Sequence, residues 1–321
     1  MKKIMLNQYG DVDVMKMTNV DIPKPSANQI VIKTVAIGVN DPDIGIRAKG
    51  PFSTMPKKIK PVLPHSLGQD FSGIVIAIGN GVTKYAVDDH VVGMSLMNTY
   101  SEYIVLEESA LIAAVPKTLD LVPLGGFVLG AATAYAATIR DGQIKSGQKV
   151  LIHGGAGGVG SNAIQFAKNA GAHVIATGTA NQTEYMKNLG ADRTIDYRTQ
   201  DFTKLVSNVD LVVNLTGLKT LRNSYKIVKK GGRITSVNAI INPIQTRLRG
   251  ITGIYSKGIL STKELVDIIE IYNQGKLHVT IDKTYPFDLD DIKQAHLDFQ
   301  AGGNTGKKII VFDNKADLNM K

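Results

Sequence analysis

The run KVLIHGGAGGVGSNAIQFAKNAGAHVIATG, residues 149–178, constrains the fold more than any other part of this chain. Five glycines fall within residues 154–160. Glycine loses more conformational freedom on folding than any other residue, so such a concentration implies a sharp turn or a close approach to the backbone. An apolar run, KVLIH, precedes the glycines; a helical pattern and then HVIATG follow them. Residues 155–160 read G-A-G-G-V-G, which between a strand and a helix is the spacing of a dinucleotide-binding βαβ unit. On this reading Gly155 permits the tight turn, Gly157 lets a pyrophosphate approach, and Gly160 lets helix and strand pack closely. Ala156, Gly158 and Val159 complete the loop, whose free N–H groups at the helix start bind the anion.

The choice of dinucleotide turns on the end of the second strand. NAD binders carry an acidic residue there, roughly 20 positions past the first glycine, for the ribose 2′-hydroxyl. Here the segment 176–181 reads A-T-G-T-A-N, and the first acid is Glu184. Nothing there repels a 2′-phosphate, and Thr177, Thr179 and Asn181 offer it hydroxyl and amide groups. NADP(H) is therefore expected. The turn holds no Arg or Lys, and Arg198, after the third strand, is the nearest counter-charge. Thr216 and Gly217 close the fourth strand, near the expected ribose position.

The alternation continues on both sides of the loop. A helical pattern at 181–190 leads to RTIDY, then VDLVVNLTG, a predicted helix over 220–230 and the strand RITSVNA. This predicts a parallel sheet with helices on both faces. The first third reads differently, as short β-branched strands at 29–40, 71–79, 90–94 and 101–107, with a long proline-bearing loop at 48–68. After residue 261 come two amphipathic helices, 262–277 and 288–299, and a last strand, GKKIIVF. The tail from residue 314 reads as frayed.

Composition narrows the function classes. With 321 residues the chain has room for about two domains. It has no cysteine, which rules out disulfides and thiolate metal sites and fits a reducing cytosol. The N-terminus has no sustained apolar region of a signal peptide, and the apolar stretch 119–137 is broken by Pro123 and glycines. A cytoplasmic protein with no membrane segment is expected. The net charge of +9 comes from scattered lysines, the densest cluster being Lys57, Lys58 and Lys60 in a proline-rich loop. That pattern offers no specific nucleic-acid surface.

Several motifs together carry a resemblance. GVNDPDIGIRAKG (38–50), LGQDFSGIV (67–75), ATAYAA (132–137), HGGAGGVG (153–160), LGADRTIDY (189–197), KKGGRITS (229–236) and TGKKIIV (305–311) span nearly the whole chain. In these the sequence resembles the medium-chain dehydrogenase/reductase superfamily, in the zinc-independent quinone oxidoreductase branch. The resemblance implies an α/β protein with a GroES-like β-rich catalytic domain and a doubly wound Rossmann domain. Residues 1–122 would form the first part of the catalytic domain, 123–261 the NADP(H)-binding domain, and 262–321 the return to the catalytic domain, with the active site in the cleft between them. It also implies a homodimer.

Zinc relatives place a cysteine and a histidine where this chain has Asn40 and Gln69, neither of which offers a thiolate or imidazole. No metal site is expected, and without a Lewis acid the acceptor must already be electrophilic: a quinone or an α,β-unsaturated carbonyl. Asn40 resembles the substrate-loop asparagine that replaces the zinc ligand, as an acceptor contact or a turn-stabilising amide. Asp43 and Arg47 belong to the same motif, with an ion pair as the structural reading. Thr133 resembles a nicotinamide contact, Tyr197 a residue near the adenosine phosphate, and Lys307 a lysine beside the cofactor. Tyr255 and Tyr100 are phenols that could face the substrate. The competing class is a nucleotide-binding sensor or nucleic-acid-binding relative without turnover.

Overall fold

The computed structural model describes residues 1–50 and 61–313; the lysine cluster 57–60 and the tail from 314 lie outside them. The chain opens with β1 (Lys2–Leu6), β2 (Met15–Asn19), β3 (Gln29–Gly38), α1 (Asp41–Lys49), β4 (Asp70–Ile78), β5 (His90–Met94), β6 (Tyr103–Glu107), β7 (Leu111–Ala114) and α2 (Leu121–Leu124). There follow α3 (Val128–Tyr135), β8 (Lys149–His153), α4 (Gly160–Asn169), β9 (His173–Gly178), α5 (Thr183–Asn188), β10 (Arg193–Asp196), α6 (Phe202–Leu205), β11 (Val209–Asn214), α7 (Leu218–Ser224), β12 (Val228–Ser236), α8 (Pro243–Arg249), β13 (Thr252–Tyr255) and α9 (Thr262–Asn273). The chain then adds β14 (Ile281–Pro286), α10 (Leu289–Gln300) and β15 (Lys307–Val311).

These elements fall into two compact units. The first holds Met1–Val128, Val279–Gly302 and Lys307–Lys321; the second holds Leu129–His278 and Gly303–Gly306. The division differs from the boundaries expected at 122 and 261. Residues 262–278 pack with the second unit, where Gln165 Nε2 donates to the His278 carbonyl (3.1 Å) and Asn169 Nδ2 to that of Lys276 (2.7 Å).

In the first unit, β14-β15-β3-β4-β5-β7 form a sheet to which β6 adds by pairing with β3. Apart from the parallel β14–β15 pair, its ladders are antiparallel. β3 is apolar along most of its length because it lies inside the sheet, and Ile30, Ile32 and Ile37 are fully buried with Phe71 and Ile310. α10 closes the same core with Ile292 and Ala295. Arg47, on α1, is held inside: its Nε donates to His296 Nδ1 (3.2 Å) and its Nη groups to the Gly10 carbonyl (2.7 Å) and Gln300 Oε1 (2.8 Å). Nδ1 of His296 thus accepts, and Nε2 carries the proton toward Tyr100 Oη at 3.1 Å. Arg47 therefore braces α1 against α10 rather than pairing with Asp43. Tyr100 is fully buried in this core, which withdraws it from the substrate-facing role considered for it.

The second unit is a parallel sheet of order β10-β9-β8-β11-β12-β13. From β8 the chain moves outward through β9 to β10, then returns to the other side of β8 for β11. That reversal is the topological switch point of a doubly wound sheet, outside which ligands bind. The predicted helix over 220–230 ends at Ser224, and Val228 already begins β12. Tyr225 and Ile227 are buried core residues of the connection, so their apolar spacing mimics a helical face.

Candidate active site

The glycine loop leaves β8 at the switch point. The residue that needs glycine's freedom is Gly154, with φ +75°, one position before the Gly155 assigned to the turn. Two hydrogen bonds fix the exit: Gly154 N–H to Thr177 Oγ1 (3.2 Å) and Gly155 N–H to the Thr177 carbonyl (2.9 Å). Gly155 is small for another reason, since a Cβ there would lie 2.9 Å from Ala176 Cβ and 3.0 Å from Met186 Sδ. At Gly160 a Cβ would overlap the Gly154 carbonyl oxygen, so α4 can approach β8 only with glycine at this position.

Gly157 is different. A Cβ there would meet only the Gly154 carbonyl oxygen, at 3.7 Å. Protein packing does not require glycine at this position, and the space beside it is open. At the start of α4 the Ser161 N–H is taken by the Gly157 carbonyl (2.9 Å) and the Ala163 N–H by that of Val159 (3.0 Å), whereas among the described residues no backbone hydrogen bond takes the N–H of Gly158, Val159 or Gly160. An open cradle with donors at its rim fits the pyrophosphate of a dinucleotide.

Beside the loop is a cavity of about 650 Å³, whose lining includes His153, Thr177, Tyr197, Arg198, Thr216 and Lys219. Thr177 is buried, and its hydroxyl lies between Gly154 N–H and His153 Nδ1 (3.3 Å), so it shapes the loop. Ser224 Oγ donates to the Thr220 carbonyl (2.8 Å), so His153 Nε2 donates to Ser224 Oγ (3.0 Å). Thr216 donates to Asn214 Oδ1 (3.0 Å), Asn214 Nδ2 donates back to the Thr216 carbonyl (3.1 Å), and the exposed Gly217 follows. Tyr197 is 58% exposed. Thr179 and Asn181 turn toward each other, Thr179 Oγ1 donating to Asn181 Oδ1 (2.5 Å). Elsewhere in this unit, Thr133 Oγ1 donates to the Leu129 carbonyl (2.8 Å) and packs against Gly258, whereas Tyr255 is half-exposed on β13.

In the first unit the structure joins Asn40 to Lys307, which sequence reasoning left apart. Asn40 precedes α1, and its backbone N–H donates to Asp43 Oδ2 (2.9 Å). Its Nδ2 donates to Asp70 Oδ1 (2.8 Å) and the Gly38 carbonyl (3.3 Å), while its Oδ1 accepts from Lys307 Nζ (2.5 Å). Lys307 Nζ also stands 3.8 Å from Asp70 Oδ2. All four residues are buried. A carboxamide held between a carboxylate and an ammonium is not a zinc ligand set. Gln69 Oε1, next in the chain to Asp70, is buried without a hydrogen-bond partner. Asp43 Oδ1 accepts from Gly68 N–H (3.1 Å), but burial and the neighbouring Asp70 push the Asp43 carboxyl up to about 7.

Burial pulls His153 down to about 3; burial and Arg47 do the same to His296. These shifts set an acid limb. Between about pH 4 and 6, below the free imidazole's value of about 6.5, the unfolded chain protonates both imidazoles while the folded chain keeps them neutral. Asp43 works the other way, because the folded form holds a proton that the unfolded form has released. The net is one extra proton on the unfolded state, so stability should fall by about 1.4 kcal/mol per pH unit as pH drops through this window. Urea unfolding at pH 4.5, 5.5 and 6.5 measures the slope; a flat profile would contradict the two neutral imidazoles.

Comparison with known proteins places this geometry. The sequence profile of the alcohol dehydrogenase GroES-like domain matches residues 26–145, and that of a zinc-binding dehydrogenase domain matches 189–310. The chain is 32% identical to a 2-methylene-furan-3-one reductase of Solanum lycopersicum, covering 97% of this chain and 79% of the relative. It is 30% identical, with the same coverages, to a chloroplastic NADPH-dependent alkenal/one oxidoreductase of Arabidopsis thaliana. Among solved structures, the quinone oxidoreductase of Coxiella burnetii superposes with a TM-score of 0.86 at 30% identity, covering 97% of this chain and 99% of that one.

Proposed function

The chain belongs to the medium-chain dehydrogenase/reductase superfamily, in its zinc-independent quinone oxidoreductase branch, and from that premise we propose that it is an NADPH-dependent reductase of quinones or α,β-unsaturated carbonyls. The observation that carries this reading is the open cradle at Gly157, set at the switch point of a parallel sheet. NADPH, when bound, supplies the hydride.

The protein's share is to bind, orient and protonate. Gly155 to Gly160 and the start of α4 hold the pyrophosphate, with Gly154 setting the turn. Tyr197 and Arg198 stand at the adenosine end; Thr177, Thr179 and Asn181 shape the wall behind it. Thr216 and Gly217 border the ribose, and Thr133 the nicotinamide. Quinones and enones are electrophilic without a metal, so the acceptor needs orientation more than activation. Asn40 and Lys307 serve as one unit, the ammonium fixing which end of the amide faces which neighbour. Tyr255 is the phenol assigned to return a proton to the reduced acceptor. The reading extends to a cytoplasmic homodimer, in keeping with a cysteine-free chain and with β13 at the end of its sheet.

The test is loss of reduced-nicotinamide absorbance with NADPH and NADH in parallel, against a quinone such as phenanthrenequinone, a small enone and a simple aldehyde. Acceptor-dependent oxidation of NADPH, fastest with quinone or enone, is the expected result. Oxidation with none of the three acceptors, despite measured nucleotide binding, would remove the enzymatic reading.

A further inference from the structure

We infer that Lys219, acting with Arg198, holds the ribose 2′-phosphate of the dinucleotide, a task that the turn after β9 does not perform in this chain. The inference rests on the NADPH reading above and names the residue that would enforce it.

The turn after β9 is closed on itself. Thr179 Oγ1 donates to Asn181 Oδ1, and Thr179 N–H is taken by Gln182 Oε1 (3.0 Å). The segment brings no cation. The cations of the adjoining 650 Å³ cavity come instead from two other loops: Arg198 beyond β10 and Lys219 beyond β11. Both side chains are exposed, and among the described residues neither is ion-paired with a carboxylate.

The carboxylates nearby are held by their own loops. Asp196 accepts from Arg198 N–H (3.0 Å) and Thr199 Oγ1 (2.9 Å), which fixes the turn that carries Arg198. Asp201 also lines the cavity, but Oδ1 accepts from Thr203 N–H (3.0 Å) and Thr203 Oγ1 (2.7 Å). His153 is neutral at physiological pH. The cavity therefore presents two exposed cations against one carboxylate already engaged in capping α6. A phosphate dianion is the ligand that such a wall favours, through charge-assisted hydrogen bonds. A 2′-hydroxyl gains little from it. Lys219 lies in the first turn of α7, two residues past Gly217, so its ammonium comes from the side of the cavity opposite the β9 turn in strand order.

The experiment compares 2′,5′-ADP with 5′-AMP by calorimetry, and NADPH with NADH by fluorescence titration. The proteins are wild type, Lys219→Ala, Arg198→Ala, the double variant and Lys219→Arg. Wild type should bind 2′,5′-ADP at least about tenfold tighter than 5′-AMP, a factor worth about 1.4 kcal/mol. Lys219→Ala should lose about tenfold for 2′,5′-ADP and NADPH with 5′-AMP and NADH unchanged. Lys219→Arg should keep most of the preference, and the double variant should have none. Added salt should weaken 2′,5′-ADP binding more in wild type than in either alanine variant. A wild type that prefers 2′,5′-ADP and a Lys219→Ala variant that prefers it equally would overturn the inference and leave the NADPH reading standing. A wild type with no preference for the 2′-phosphate would bring down the NADPH reading itself, and the inference with it.

Discussion

Replacing Lys307 by methionine lowers the unfolding free energy of the nucleotide-free protein by about 3 kcal/mol, the lower end of what removing one partner from a buried charge pair costs. The ammonium lies in a pocket with two carboxylates: it donates to Asn40 Oδ1 at 2.5 Å and stands 3.8 Å from Asp70. Asp43, less than a helical turn from Asn40, already has its carboxyl pushed up to about 7 by burial and by Asp70. Methionine keeps the stem's packing but takes the cation away from both acids, so the change reads electrostatics more than volume. Asn40 also loses the partner that fixes its amide, and its Oδ1 becomes a buried acceptor with nothing donating to it. Asp70→Asn in the same background should recover part of the loss, and the double-mutant cycle isolates the coupling. Urea midpoints for the four proteins give the answer. A single-mutant loss below about 0.5 kcal/mol would mean that Lys307 behaves as a surface ion pair does.

Two glycines of one loop should fail in opposite ways. Gly157→Val should leave the fold intact, because a Cβ there meets one atom at 3.7 Å and the backbone is not in the left-handed region. Its side chain fills the space that a pyrophosphate needs. Losing one or two charge-assisted hydrogen bonds at about 1.5–3 kcal/mol each weakens nucleotide binding by about a hundredfold. Gly160→Ala should instead destabilise by about 1–3 kcal/mol even without nucleotide. Its Cβ meets the Gly154 carbonyl oxygen and lies 2.7 Å from Gly155 Cα, backbone atoms that no rotamer can move. Thermal midpoints and NADPH titrations of both variants separate the two effects. A Gly157→Val protein with wild-type affinity would mean that the nucleotide does not use this cradle.

What the sequence made legible follows the range over which each signal acts. The glycine loop could be read because its meaning is local: a strand before, a helix after, and spacings fixed by a few residues. Its one misplacement, Gly155 for Gly154 as the turning residue, is a matter of φ, which spacing does not encode. The helix predicted through residue 230 failed because Tyr225 and Ile227 are buried in a connection, and burial alone gives the same apolar period. The strands β1, β2, β13 and β14 are short and half-exposed, so no alternation stands out. Residues 262–278 followed the second unit although their composition changes, because their contacts are with α4 and its surroundings. Lys307 could be seen beside the last strand, but its partner Asn40 lies 267 positions away. Lys219 lies two positions beyond Gly217, in the connection after β11, where a single basic residue carries no signal of its own in the sequence.

The return of β15 to pair with Ala36–Gly38 of β3 has a consequence for synthesis on the ribosome. The second unit is nearly contiguous in the chain, whereas the first is interrupted between Val128 and Val279. At about 5–20 residues per second, the nascent first unit waits on the order of ten seconds or more for its final strand. Until then half of a central strand has an open edge, the feature that invites intermolecular pairing. Asp70 waits as well, since the ammonium that stands 3.8 Å from it arrives on that same strand. Chaperone demand in this protein should therefore fall on its earliest-made segment, and a ribosome-bound chain stalled before β14 should remain protease-sensitive there while its middle is already protected.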